Sequence, residues 1–181
     1  TNQNGFRVIY HKDIITDTSL LISDDDIPCD SFSSDEYDFP LKKEFILCAE
    51  EPDKCPATPD DYRFGSALVS SYSEIMGQEV SNYWNIDGYD VLYDRCPESV
   101  AFIGGYPRFT QSDPREDCPS LEGFDRVLFE LGSLQGEEIT SWGGHDFDII
   151  WGDVGTGVFL IPAEKLRACD FSEVVYNYDC G

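Results

Sequence analysis

The segment from residue 151 to residue 181 constrains the fold more than any other stretch. Residues 158–161 form a short apolar run of strand length, bounded by glycines at 152, 155 and 157. Pro162 suits the first turn of a helix because its ring fixes φ and its missing N–H has no partner there. Residues 163–167 are good helix formers, and Asp170 is expected to end the helix. Residues 174–178 are rich in β-formers. The segment therefore predicts a strand, a short helix and a second strand.

The composition indicates a folded protein with a large excess of negative charge. The 181 residues are 41% hydrophobic and 14% aromatic, which argues against disorder. They include 12 basic and 36 acidic residues, for a net charge of −24. Such a surface repels nucleic acid and anionic membranes and attracts a basic partner protein. The alternative is that the charge serves solubility alone.

The chain has the features of a cytoplasmic protein. No apolar run approaches the roughly 20 residues that span a membrane, and no signal-peptide pattern opens the chain. A signal removed ahead of the first residue is the alternative. The seven cysteines are odd in number and include no C-x-x-C pair. This favours reduced thiols, with disulfides in an exported protein as the second reading.

The most acidic part of the chain is a turn-rich segment, residues 23–40. Residues 13–61 together hold 15 acidic and 3 basic residues, half of the net charge. Aromatic residues are interleaved with the acids and could anchor a partner while the carboxylates meet its Arg and Lys. The candidate partner-binding residues are Asp24, Asp25, Asp26, Asp30, Asp35, Glu36, Tyr37 and Asp38. The alternative is a solvated loop, and the segment lacks the residue pattern of a calcium loop.

The rest of the chain shows weaker signals. The patterns predict strands at 6–10, 14–22, 41–48 and 126–131, a tight turn within 102–111, and a further turn at Asp113-Pro114. A hairpin around Asp87-Gly88 is expected within 84–96, and residues 143–151 are expected to form a loop. The one convincing amphipathic helix begins near Thr58 and Pro59 and stops at Gly77. Its apolar stripe, which we expect to face the core, consists of Leu68, Val69, Tyr72, Ile75 and Met76.

No catalytic constellation is recognisable. His11 and His145 are the only histidines, and neither sits in a nucleophile motif. His145 with Asp146, Asp148 and Asp153 could in principle ligate a metal, but nothing fixes their spacing to one. The glycine-rich stretches lack the lysine of a phosphate-binding loop. We therefore expect no catalytic residue, no metal and no cofactor.

Several separated motifs in the C-terminal half occur together and in a fixed order. They are Ile103-Gly104-Gly105-Tyr106-Pro107 with Phe109 and Gln111, Asp113-Pro114-Arg115, Val127-Leu128-Phe129-Glu130-Leu131, Trp151-Gly152-Asp153-Val154-Gly155 with Phe159-Leu160-Ile161, and Asp170-Phe171-Ser172 with Tyr176-Asn177-Tyr178-Asp179-Cys180. In these motifs residues 100–181 resemble the YwqG-like proteins, a bacterial domain family. Glu130 stands where the family usually has Gln, and Tyr178 where it usually has Trp.

The resemblance implies an α+β fold with a strongly twisted, mainly antiparallel sheet and a few short helices. We expect one YwqG-like domain over residues 1–181, with an acidic, divergent part at 1–99 and the family-like part at 100–181. No catalytic residues carry over from the family. Its members are often associated with polymorphic toxin loci and are proposed to act as immunity proteins.

The working hypothesis is therefore an immunity protein, not an enzyme, that binds a cognate secreted bacterial toxin and occludes its active site. A basic toxin such as a nuclease would suit the acidic surface. One alternative is an enzyme or small-ligand protein with its site in the 143–153 loop, at His145, Asp146 and Asp153. The other is a regulatory adaptor without a toxin partner.

Overall fold

The computed structural model describes residues 6, 8–13, 15–20, 40–41, 45, 47–48, 58–92, 100–139 and 144–181. Its helices and strands are α1 (Phe64–Met76), β1 (Ala101–Phe102), α2 (Pro114–Asp117), β2 (Arg126–Gly132), β3 (Leu134–Ile139), β4 (His145–Ile149), β5 (Thr156–Ile161), α3 (Ala163–Arg167) and β6 (Val175–Asp179). Antiparallel sheets with a few short helices make this an α+β protein, which confirms the predicted class.

A four-stranded antiparallel sheet in the order β1-β2-β5-β6 forms the centre of the described structure. Strands β2 and β5 pair from Arg126 opposite Ile161 to Gly132 opposite Thr156, with an irregularity after Val127. Strand β6 pairs along the other edge of β5, and α3 connects the two strands. The predicted strand, helix and strand of the C-terminal segment are confirmed.

The two faces of this sheet differ in chemistry. Val127, Val158 and Leu160 are fully buried on one face and pack with Phe109. The opposite face is aromatic: the ring centroids of Phe159 and Tyr176 lie 4.9 Å apart. Because side chains alternate along a strand, one run of sequence supplies both faces.

Strands β3 and β4 form a separate two-stranded antiparallel sheet. Leu134 lies opposite Ile149, and Leu41 forms an isolated bridge to the same residue. The prediction of a loop over 143–151 was therefore wrong for 145–149. Acidic residues alternate along this stretch, a composition that is also typical of a solvated loop. The stretch becomes a strand because it pairs with β3.

Helix α1 starts later than the sequence pattern predicted. Residues 58–61 form a turn, in which the Asp61 N–H donates to the Thr58 carbonyl at 3.1 Å, and the helix begins at Phe64. It ends as predicted at Gly77, which has a φ of 63° and donates its N–H to Ser73. Its apolar stripe is not a core face, since Ile75 is 79% and Met76 60% exposed.

Other local predictions were also wrong within the described residues. Residues 6 and 8–10 are not in a strand, and of 41–48 only Leu41 makes a β-bridge. A 3-10 helix, Thr18–Leu20, lies where a strand was predicted at 14–22. Two further 3-10 helices, Tyr83–Asn85 and Tyr89–Leu92, lie where a hairpin was predicted near Gly88. A fourth, Pro119–Leu121, follows α2. Isolated short apolar runs do not distinguish these states, because each one needs a partner to become a strand.

None of the helices in the described part of the chain has the length and apolar character needed to cross a membrane. The four cysteines among the described residues are unpaired thiols; they are Cys48, Cys118, Cys169 and Cys180.

Candidate functional site

An open cleft of about 690 Å³ lies beside the N-terminal half of α1. Its walls come from the turn at 59–62, from α1, from residues 81–83 and from residues 111–116. Gly65 shapes one wall, because a Cβ at this position would lie 2.9 Å from the Tyr83 ring. A cleft of this size falls in the range of ligand-binding sites.

Three fully buried charged residues lie beneath the cleft. Arg115 Nη2 donates to Asp61 Oδ2 at 2.9 Å, and Arg115 Nε donates to Asp113 Oδ1 at 2.8 Å. Arg115 Nη1 donates to the Phe124 carbonyl at 3.1 Å. The side chain of Arg115 is 0% exposed and those of Asp61 and Asp113 are at most 1% exposed. Burial of these charges is tolerable because each one is paired and hydrogen-bonded.

Asp113 also connects the start of α2 to the turn that precedes α1. Its carboxylate accepts the Arg115 N–H at 2.9 Å, and so caps α2, whose first residue is Pro114. The second carboxylate oxygen accepts the Tyr62 N–H at 3.0 Å, 51 residues away in sequence. The predicted turn at Asp113-Pro114 is thus the start of a helix.

Asp61 also forms an ion pair with a second arginine, Arg63, whose side chain is partly exposed. Arg63 Nε and Nη2 donate to the Asp61 carboxylate at 2.8 and 2.6 Å. Burial favours the protonated form of Asp61, but the hydrogen bonds from Arg63 and the charges of Arg115 and Arg63 outweigh it and lower the pKa of Asp61. The guanidinium carbons of Arg63 and Arg115 lie 5.5 and 5.1 Å from the Tyr62 ring centroid.

The cleft itself is acidic. Four of the described residues that line it are Asp or Glu and none is Lys, Arg or His; the acids are Asp60, Asp61, Asp113 and Glu116. Asp61 and Asp113 are neutralised from below by arginine. Asp60 and Glu116 are exposed at the rim. Desolvation raises the pKa of Asp60, and the charge of Asp179 adds to the effect, while Phe109 and Arg108 oppose it.

A further buried carboxylate lies behind Asp60. Glu130 on β2 is 1% exposed and accepts the Arg108 N–H at 2.9 Å and Arg108 Nε at 3.3 Å. Burial raises the pKa of Glu130 to about 7, although Arg108 opposes the shift. Arg108 thus interacts with both Asp60 and Glu130. Among the described residues, Asp179 Oδ1 is buried without a hydrogen-bond donor.

The candidate site residues predicted from the sequence are not those that line the cleft. The acidic candidates at 24–38 lie outside the described residues. His145, Asp146 and Asp148 lie on β4, where Asp146 Oδ1 accepts the Phe147 N–H at 2.9 Å, and Asp153 is exposed in the following turn. The described residues contain no group of three His, Cys, Asp or Glu that could hold a metal ion.

Sequence reasoning missed the network of Asp61, Asp113 and Arg115. One signal was available: Asp113-Pro114 is a strong helix start, with a capping carboxylate followed by proline at the first position. That signal predicts the cap, but it does not predict that Arg115 turns inward to meet a carboxylate 54 residues away.

No curated protein sequence matches the chain. The family model described as "Domain of unknown function (DUF1963)" matches residues 1–180. The match also includes the N-terminal hundred residues, in which no motif resembles the YwqG-like proteins. The chain belongs to the DUF1963 family, a family of domains of unknown function.

Proposed function

We propose that this protein is an immunity protein, which binds a secreted basic toxin and covers the active site of that toxin. Binding takes place in the cytoplasm, where such a toxin acts. The carrying observation is the open cleft beside α1, which has no basic residue among its described lining residues and carries the exposed acids Asp60 and Glu116 at its rim, whereas its two other acids are paired with arginine. A protein of net charge −24 with such a cleft suits a positively charged surface.

The surroundings of the cleft support a protein partner. Tyr83 lines the cleft, and the adjacent Trp84 is 54% exposed with its ring 4.0 Å from that of Tyr83. Tyr and Trp are enriched among the residues that dominate binding energy at protein interfaces. The acidic segment at 24–38 is proposed as a second part of the docking surface, on its sequence alone.

We further propose that the chain is a YwqG-like member of its family. The motifs that carry the resemblance support this through their structural roles. Gly104 and Gly105 have φ values of 77° and 74°, which glycine tolerates best. Trp151 packs on Gly157, where a Cβ would lie 2.6 Å from the indole ring. These residues hold the fold, which leaves partner choice to residues elsewhere.

The experiment that tests the immunity role is a calorimetric titration with the product of the gene directly upstream, at low and at high salt. We expect tight one-to-one binding that weakens with salt, since exposed charge pairs are screened beyond a Debye length of about 10 Å at 0.1 M. The toxic activity of that product, assayed in parallel, should be lost at one equivalent.

Two results would count against the proposal. Binding without loss of toxic activity would favour the regulatory adaptor. Absence of binding, with the protein shown to be folded by circular dichroism, would remove the neighbouring product as the partner and return attention to the enzyme hypothesis. In that case a His145→Ala variant would test the remaining candidate residues on β4.

A further inference from the structure

We propose that Phe6 and residues 8–13 form a strap over the aromatic face of the central sheet, and that this strap opens while the sheet stays folded. In the closed strap, Phe6 occupies the aromatic face and thereby controls its exposure to solvent. The rings of this face are those of Trp151, Phe159, Tyr176 and Tyr178. The strap takes no part in the proposed toxin binding, so it is independent of the immunity role.

The rings of the aromatic face form one continuous cluster, and Phe6 extends it. The ring centroid of Tyr176 lies 4.9 Å from that of Phe159 and 6.2 Å from that of Trp151. Phe6 lies edge-on to two of these rings, with its centroid 5.5 Å from that of Phe159 and 6.0 Å from that of Tyr176. Aromatic pairs attract at centroid separations of about 4.5–7 Å, and edge-to-face geometry is favoured. Phe159 and Tyr176 face each other across β5 and β6, so Phe6 covers the line along which these strands pair.

Aromatic side chains, rather than main-chain pairing, attach the strap to the rest of the molecule. Besides Phe6, Tyr10 makes such a contact, since its ring centroid lies 5.3 Å from that of Phe171, in the connection between α3 and β6. Within the described structure, Phe6 and residues 8–13 take part in no hydrogen bond or ion pair. The strap can therefore leave the sheet without breaking a described hydrogen bond of β5 or β6.

The strap is much less buried than the sheet. Ile9 is 59% and Tyr10 57% exposed, whereas Val158 and Leu160 on β5 are 0% exposed. Opening the strap uncovers mainly the contact surface of Phe6, whereas unfolding the sheet uncovers the whole core. Segments with few buried apolar contacts open at a lower free energy than the core of the same protein. We therefore expect the strap to open before the sheet unfolds.

Opening of the strap changes the surface that the sheet presents. Phe159 and Tyr176 are partly buried while the strap is closed, and Tyr178 is already 54% exposed. Removal of Phe6 joins these rings into one exposed apolar patch. Contiguous apolar patches on a protein surface commonly mark interaction sites. The strap thus determines whether the sheet presents such a patch.

The test is urea unfolding of the full chain followed by NMR at single residues. In the wild type, the ring resonances of Phe6 and Tyr10 should reach their unfolded positions at a lower urea concentration than the methyl resonances of Val158 and Leu160. Phe6→Ala should raise the opening equilibrium constant of the strap by about 2- to 10-fold for each ring contact that it removes. The urea midpoint of the Tyr10 ring should therefore fall, while the midpoint of the core methyl groups is retained.

Ile9→Ala is the matched control, because Ile9 lies in the same strap but is 59% exposed, and it should leave both midpoints unchanged. One midpoint shared by the strap and the core in the wild type would overturn the proposal, since the strap would then unfold only with the sheet. Equal falls of both midpoints in Phe6→Ala, or equal effects of Phe6→Ala and Ile9→Ala on the Tyr10 ring, would overturn it as well. Unfolded ring positions of Phe6 without urea would show that the strap does not close.

Discussion

Replacing Arg115 with Met tests how much the buried network beneath the cleft contributes to the free energy of unfolding. In this network Arg115 connects Asp61, just before α1, to Asp113 and Phe124. Methionine keeps most of the apolar stem but removes the guanidinium. Asp61 would then keep only Arg63, and Asp113 would keep only the backbone N–H donors of Tyr62 and residue 115. The carbonyl of Phe124 would lose a donor as well.

The expected loss follows from burial. Removing one partner of a fully buried ion pair costs about 3–5 kcal/mol, because the remaining charge stays desolvated. The Arg115 side chain is 0% exposed, so solvent does not reduce this figure. For a domain of this length, about 2–4 °C is lost per kcal/mol, so Arg115→Met should lower Tm by about 6–20 °C.

The assay is urea unfolding followed by tryptophan fluorescence at pH 7, with Arg126→Met as the matched control. Arg126 also pairs with an aspartate, at 3.2 Å, but its side chain is 39% exposed. The control should therefore lose only about 0–1 kcal/mol. Equal losses in the two variants, or a loss below about 1 kcal/mol for Arg115→Met, would refute the reasoning.

A pH series provides a second readout of the same variant. The lowered pKa of Asp61 contributes stability that is fully present above its unfolded value of 3.8 and is lost as the pH falls through the lower folded pKa. The gap in unfolding free energy between wild type and Arg115→Met should therefore narrow in strong acid. A gap that widens below pH 3.8 would contradict this account.

Three further predictions concern other parts of the molecule. Glu130 has a folded pKa of about 7 against 4.5 unfolded, so its stabilising contribution is fully present below pH 4.5 and is lost as the pH rises through 7. Glu130→Gln should therefore flatten the fall in stability over that window, which amounts to at most about 3 kcal/mol and is measured by urea unfolding at several pH values. Gly155→Ala should destabilise by about 2–4 kcal/mol in the same assay, since its Cβ would lie within 3 Å of backbone atoms of Asp179 and Cys180. Charge reversal in the acidic segment should weaken toxin binding in calorimetry and flatten its salt dependence; the residues to change are Asp24, Asp25 and Asp26.

Each of these has its own control. An unchanged pH slope in Glu130→Gln would show that another group titrates there. For the glycine, Gly123→Ala is matched, because its Cβ meets nothing within 4 Å; equal losses at both positions would contradict the steric argument. Unaltered affinity of the charge-reversed protein at low and high salt would remove the 24–26 segment from the docking surface.

Local sequence determined the C-terminal part of the fold. Glycines around residues 152–157, an apolar run and Pro162 define strand β5 and the start of α3 through interactions only a few residues apart. Gly77 likewise ends α1, since its left-handed backbone is a local preference. Together with the alternation in β2, these signals predicted individual strands and helix ends, whereas the α+β class was what the resemblance to the YwqG-like proteins implied.

Only the tertiary structure decided the candidate site. Residues 145–149 become a strand through pairing with β3, and Arg115 becomes a core residue through carboxylates at positions 61 and 113. A charged residue in a polar turn is ordinarily predicted to face solvent, because desolvation is costly without a partner. The partner lies 54 residues away, and no local pattern records which distant carboxylate will meet the guanidinium. The sequence by itself determined the strands β2, β5 and β6 and the net charge of −24. Long-range packing determined how those strands pair, where the charge is neutralised and where it lines an open cleft.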